Sequence, residues 1–101
     1  MKNFIEILVC YDIESNRIRK KVSDMLKDFG LVSIQKSVYW GWVIPAEKKA
    51  ILHNIHNKYD LQISDRVLVM DVNLASNAKS ILIGYSDIEL KRFEDDVQLV
   101  I

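Results

Sequence analysis

The chain alternates between a strand-like and a helix-like spacing of its apolar residues. Phe4 to Tyr11 is rich in β-branched and aromatic residues, nearly continuous, and ends at Asp12, which predicts a central strand. Ile18, Val22, Met25, Leu26 and Phe29 then fall on one helical face, with Arg17, Arg19, Lys20, Lys21, Asp24, Lys27 and Asp28 mostly elsewhere. Ser15 or Asn16 is suited to cap this helix and Gly30 to close it. Leu31 to Ile44 is a second β region whose alternation breaks at Gln35-Lys36-Ser37 and again at Gly41. Such breaks fit either a tight hairpin or one long strand bent by a bulge.

Pro45 suits the first turn of a second helix, which Ala46, Lys49, Ala50, Leu52, His53, Ile55 and His56 carry to about Lys58. Val67 to Leu74 is a strand after the turn-like Ile63-Ser64-Asp65, Lys79 to Tyr85 a further strand, and Val97 to Ile101 a short terminal one. The order is β-α-β-β-α-β with extra C-terminal strands, an α+β, ferredoxin-like pattern in one domain over residues 1–101. The apolar tail is expected to pair with a sheet edge, its own or that of a second copy, so that residues 79–101 contribute to a homodimer.

Composition adds three limits. Half of the residues are hydrophobic, more than one small core easily hides, which points to a partner surface. With 14 basic and 14 acidic residues the net charge is zero, so nucleic-acid binding must come from a local patch, a dimer groove or a partner. The lone Cys10 cannot form an intramolecular disulfide and reads as a small buried hydrophobe in a reducing compartment. No cleavable leader or membrane span is legible, and the expected location is the cytoplasm.

Candidate chemistry is sparse. Asp12 stands where the first strand leaves the sheet, and a hard cation such as Mg²⁺ wants carboxylate oxygen while keeping several waters. One aspartate per subunit suffices if two copies face each other; the alternative is a solvated aspartate near a helix start. Arg17, Arg19, Lys20 and Lys21 open a helix whose dipole disfavours cations there, a local cost that a bound phosphate would offset. The alternative is a solvated face with pairs such as Lys20 with Asp24. His53 and His56 lack a completing zinc set. Trp40 and Trp42 share one strand face, as core, dimer interface or base-stacking platform, and Asp71 is a loose second acidic candidate. Nucleophile–base triads and Gly-rich phosphate loops are absent from the sequence, which argues against most standard enzyme classes.

Val9-Cys10-Tyr11-Asp12-Ile13, Asn16-Arg17-Ile18-Arg19-Lys20-Lys21-Val22, Phe29-Gly30 and Gln35-Lys36-Ser37-Val38-Tyr39-Trp40-Gly41, in this order, resemble the family of CRISPR-associated protein two. The resemblance implies a ferredoxin-like homodimer whose Asp12 residues approach each other across the interface. It implies a scaffold for protospacer duplex DNA in spacer acquisition, bridging dimers of the integrase subunit, with Mg²⁺-dependent nuclease activity on DNA or RNA in some members. On this likeness Asp12 is the catalytic residue and metal ligand, and Arg17, Arg19, Lys20 and Lys36 are nucleic-acid contacts. Tyr11 is the neighbour of the ligand, and Ser37 and Tyr39 shape the surface beside it. The alternative function is a stand-alone, toxin-type metal-dependent endoribonuclease on the same fold. A ferredoxin-like regulatory domain without nucleic acid is the third reading, because the fold hosts many functions.

Overall fold

A computed structural model describes residues 3–100, and the side chains of residues 3–93. It contains β1 (Ile5–Asp12), α1 (Asn16–Asp28), β2 (Val32–Gln35), β3 (Val38–Val43), α2 (Pro45–Asn57), β4 (Arg66–Asp71), α3 (Ala78–Ile81) and α4 (Asp87–Val100). The strands form one four-stranded antiparallel sheet in the order β2-β3-β1-β4. This is the expected α+β, ferredoxin-like β-α-β-β-α-β order, with the apolar first strand in the interior of the sheet. The chain divides into two compact units, one running to Asp71 and the other starting at Val72.

In the first unit, strand alternation sorts β1 into two faces. Ile7 and Val9 point toward α1 and α2 and are fully buried, in one cluster with Ile18, Val22, Met25 and Leu26 of α1, Tyr39 and Val43 of β3, and Ile51 and Ile55 of α2. Ile51 is the position that the expected apolar face of α2 leaves out; His53 and His56 are exposed. Ser15 Oγ accepts the Ile18 N–H at 3.2 Å and starts α1. Gly30 closes it at φ 88°, with Gly30 N–H donating to the Lys27 carbonyl and Leu31 N–H to that of Leu26. Gly41 faces Leu31, where an added Cβ would lie 3.1 Å from the Leu31 Cα, so β3 passes the residue before β2 at a distance that any side chain there would tighten.

The second β region is a hairpin and a bulge together. Lys36 and Ser37 turn the chain, Ser37 in the left-handed region at φ 62°, and the β2–β3 register shifts between Ser33 and Gln35.

On the face of β1 away from α1 and α2, Glu6 is buried and its carboxylate accepts the Trp40 Nε1–H at 2.6 Å. Trp42 meets Trp40 edge-on at 6.3 Å. Cys10, expected to be buried, is only partly so, because it lies on this face and not in the helix-covered core.

The second unit corrects the C-terminal expectation. Residues 79–81 are the end of α3, not a strand, and the expected strand over Val97 to Ile101 lies in α4 as far as Val100. Ile101 and the side chains of that tail lie outside the described residues. Ser86 and Glu89 explain the helix: Glu89 N–H donates to Ser86 Oγ at 3.2 Å and Ser86 N–H to Glu89 Oε2 at 2.8 Å, a reciprocal capping box.

Candidate nucleic-acid site at the end of the first strand

Asp12 closes β1, and its Cα partner across the sheet is Arg66, the first residue of β4. Directly paired residues of an antiparallel ladder point to the same face. Both side chains are exposed, and both line a shallow groove of about 380 Å³ with Cys10 and Leu68. The Asp12 carboxylate has no hydrogen bond or ion pair among the described residues.

Two arginines brace the backbone around it. Arg19 Nη1 donates to the Ile13 carbonyl at 2.7 Å and the Glu14 carbonyl at 3.2 Å, fixing the loop that follows Asp12. Arg66 Nη1 donates to the carbonyls of Ile63 at 2.7 Å and Asp65 at 3.0 Å, in the turn before β4. The Asp65 carboxylate joins the two loops, accepting Gln62 N–H at 2.8 Å and Glu14 N–H at 3.1 Å. Those two backbone donors hold its carboxyl below the usual aspartate range, with Arg66 adding a smaller pull in the same direction.

The other expected residues divide between surface and core. Arg17 is exposed at the start of α1 and has no partner among the described residues, and Lys36 is exposed at the tip of the β2–β3 turn. Lys20 is ion-paired with Asp24 at 2.7 Å, so its charge is already matched along the helix. Ser37 serves through its backbone, its carbonyl accepting Tyr11 N–H at 3.0 Å.

Tyr11 and Tyr39 do not flank the aspartate. Alternation turns Tyr11 to the face opposite Asp12, where its ring stacks on the buried Tyr39 at 6.2 Å. Burial, and then the neighbouring Tyr39 hydroxyl, push the Tyr11 hydroxyl above its ordinary range, while Arg19 pulls it down. Asp71 is no second ligand beside Asp12. It closes the opposite end of β4, level with Ile7, and pairs with Lys48 of α2 at 2.8 Å.

No group of three or more His, Cys, Asp and Glu side chains capable of holding a metal occurs among the described residues. The exposed carboxylate is an oxygen donor of the kind that Mg²⁺ takes, an ion that keeps several of its waters. Sequence reasoning missed Arg66 and Asp65. An arginine at the start of a strand is a visible signal, but its meaning depends on that strand pairing antiparallel to β1.

These features define a small ferredoxin-like chain with an uncommitted strand-end carboxylate set among arginines. A family model described as CRISPR associated protein Cas2 matches residues 5–79. The chain is 39% identical over 90 residues to the CRISPR-associated endoribonuclease Cas2 1 of Francisella tularensis subsp. novicida, covering 89% of this chain and 88% of that protein. It is 41% identical over 49 residues, 48% of this chain, to a CRISPR-associated endonuclease Cas1/endonuclease Cas2 fusion of Thermoproteus tenax, of which the match spans 19%. A solved structure described as the crystal structure of Cas2 superposes with a TM-score of 0.58 at 23% identity, covering 68% of this chain and 75% of that one, a likeness of fold. The chain belongs to the CRISPR-associated Cas2 family. Among the described residues no helix is long and apolar enough to cross a membrane.

Proposed function

We propose that this chain is a homodimeric subunit of CRISPR spacer acquisition, which holds duplex DNA together with the Cas1 integrase and carries Mg²⁺-dependent phosphodiesterase chemistry at Asp12. The observation that carries this reading is Asp12 itself, an exposed carboxylate without a protein partner, at the end of an interior strand, in a chain of this family. A second copy is the natural source of a second carboxylate, since the groove that Asp12 lines holds no other acidic side chain among the described residues. The fusion of Cas1 and Cas2 in Thermoproteus tenax supports the partner, because linked modules keep each other at high effective concentration. Zero net charge supports shared rather than solitary capture of DNA.

When bound, Mg²⁺ would supply Lewis-acid polarisation and a water of lowered pKa. Asp12 from each copy would hold it. Arg17 and Lys36 are placed at the surface to meet phosphates, and Arg19 acts first by keeping the Ile13–Glu14 loop in position.

A second reading, a stand-alone endoribonuclease, is favoured by the Francisella relative, which is named as an endoribonuclease. One experiment separates the two. Wild type and Asp12→Asn are compared for duplex DNA binding across a salt series, with and without the Cas1 partner, and for cleavage of single-stranded RNA in Mg²⁺. The scaffold reading expects DNA binding that survives Asp12→Asn and strengthens with Cas1. Robust RNA cleavage abolished by Asp12→Asn, with no DNA binding under any condition, overturns it in favour of the endoribonuclease.

A further inference from the structure

We infer that Arg66 is a phosphate-binding residue of this site, gripping a phosphodiester of the nucleic acid beside Asp12; the inference deepens the reading above and rests on it. Asp12 and Arg66 are Cα partners, share one exposed groove and carry opposite charges. Opposite charges at directly paired positions of an antiparallel ladder ordinarily attract each other. Here they form no ion pair. The cations of Lys20 and Lys48, by contrast, are matched by Asp24 and Asp71 at 2.7 and 2.8 Å.

The difference lies in what anchors the guanidinium. Arg66 spends Nη1 on two uncharged acceptors, the carbonyls of Ile63 and Asp65. The Asp65 carboxylate, the nearest alternative anion in sequence, is turned instead to the N–H groups of Gln62 and Glu14. Carbonyl anchoring orients the planar fork without cancelling its charge, and the Nη2 and Nε donors have no partner among the described residues. An arginine so held loses less freedom when it forms hydrogen bonds to a phosphate, whose oxygens match the fork two at a time. Asp12 would repel that same phosphate, and Arg66 one ladder position away offsets the repulsion where the strand-end carboxylate needs the backbone to approach.

The test uses the full chain, with and without the Cas1 partner, and fluorescein-labelled duplex DNA and a single-stranded RNA of the same sequence as probes, each titrated across a salt series. The proteins are wild type, Arg66→Gln, Arg66→Lys, Asp12→Asn and the Asp12→Asn/Arg66→Gln double variant, each checked by thermal melting for retained fold. Arg66→Gln is expected to weaken binding about tenfold and to flatten the salt dependence by about one phosphate contact per chain. Arg66→Lys is expected to keep the slope while losing part of the affinity. The loss is expected to persist in the Asp12→Asn background, because the contact is with phosphate and not with Asp12. The DNA and RNA arms show which polymer uses the contact. A folded Arg66→Gln protein with wild-type affinity and slope on both probes overturns the assignment of Arg66 alone. So does a loss that disappears once Asp12 is neutralised. A wild type that binds neither probe, with or without Cas1, overturns the underlying functional reading together with it.

Discussion

Glu6 and Asp12 stand near the two ends of β1 and on the same face of it, yet their carboxylates live in opposite conditions. Glu6 is 6% exposed and bonded to the Trp40 indole at 2.6 Å, whereas Asp12 is exposed and has no protein partner among the described residues. A buried carboxylate must be satisfied by the protein, and once satisfied it has little left to offer a ligand. An exposed carboxylate at a strand end keeps its valence open while the rigid strand fixes where it is. Residue type alone therefore does not separate the two acids; burial and partners do, and each carboxylate makes a different prediction.

The largest effect is expected at the exposed end. Asp12→Asn removes a hard anionic ligand with almost no change of shape, so Mg²⁺-dependent cleavage should fall by orders of magnitude while the melting temperature stays put. Cleavage retained at the wild-type rate would separate Asp12 from catalysis. A large drop in melting temperature would place it with Glu6 among the structural acids.

Next in size is Glu6→Ala, which should act on stability. The Trp40 N–H would lose the Glu6 acceptor inside the protein, at a cost on the order of 1–3 kcal/mol, measurable by urea unfolding. Glu6→Gln keeps an acceptor oxygen and should recover most of that loss. Equal destabilisation by both variants would show that the charge, rather than the hydrogen bond, matters at this position.

The same contrast governs what could be read from the sequence. The helix-covered half was legible because its signals are local. The nearly continuous apolar run over Phe4 to Tyr11, Ser15 before α1, Gly30 after it and Pro45 at α2 each act within a few residues of themselves. The hairpin at Lys36-Ser37 was legible as a break in phase, though not as the combination of turn and bulge that it is. The C-terminal region failed because Ile81-Leu82-Ile83 is a short apolar run that fits strand or helix equally, while Ser86 and Glu89 start α4, which runs through the second expected strand as far as Val100. At the site, Asp12 and Arg17 could be named from the sequence. Arg66 and Asp65 could not, because their importance comes from strand register and from loops meeting across the sheet edge.

Asp65 offers a pH test of that long-range bracing. Its carboxyl is held below the ordinary aspartate range by the Gln62 and Glu14 N–H groups. A depressed folded-state pKa gives stability that is present above the unfolded value, about 3.9, and is lost as pH falls through the folded one. Asp65→Ala should therefore melt below wild type at pH 7 and converge on it in strong acid. A gap that persists undiminished at acid pH would mean that the side chain contributes by packing, not through its charge.

The smallest expected effect is on the opposite face, at Tyr11. Tyr11→Phe keeps the ring that stacks on Tyr39 and removes only the hydroxyl, so the loss at neutral pH should not exceed about 1 kcal/mol. Its sign with pH is the reverse of that of Asp65. A hydroxyl whose folded pKa is raised by burial and by Tyr39 gives stability that is complete below the unfolded value, about 10, and is lost as pH rises through the folded one. The wild type should thus weaken in alkali by an increment that the Phe variant lacks, which urea unfolding at neutral and alkaline pH would resolve. If nucleic-acid binding by the Phe variant also falls while its fold holds, Tyr11 acts on the nucleic acid as well as in the core. Unchanged binding keeps Tyr11 with the core, adjacent in sequence to Asp12 but separated from it by the thickness of the sheet.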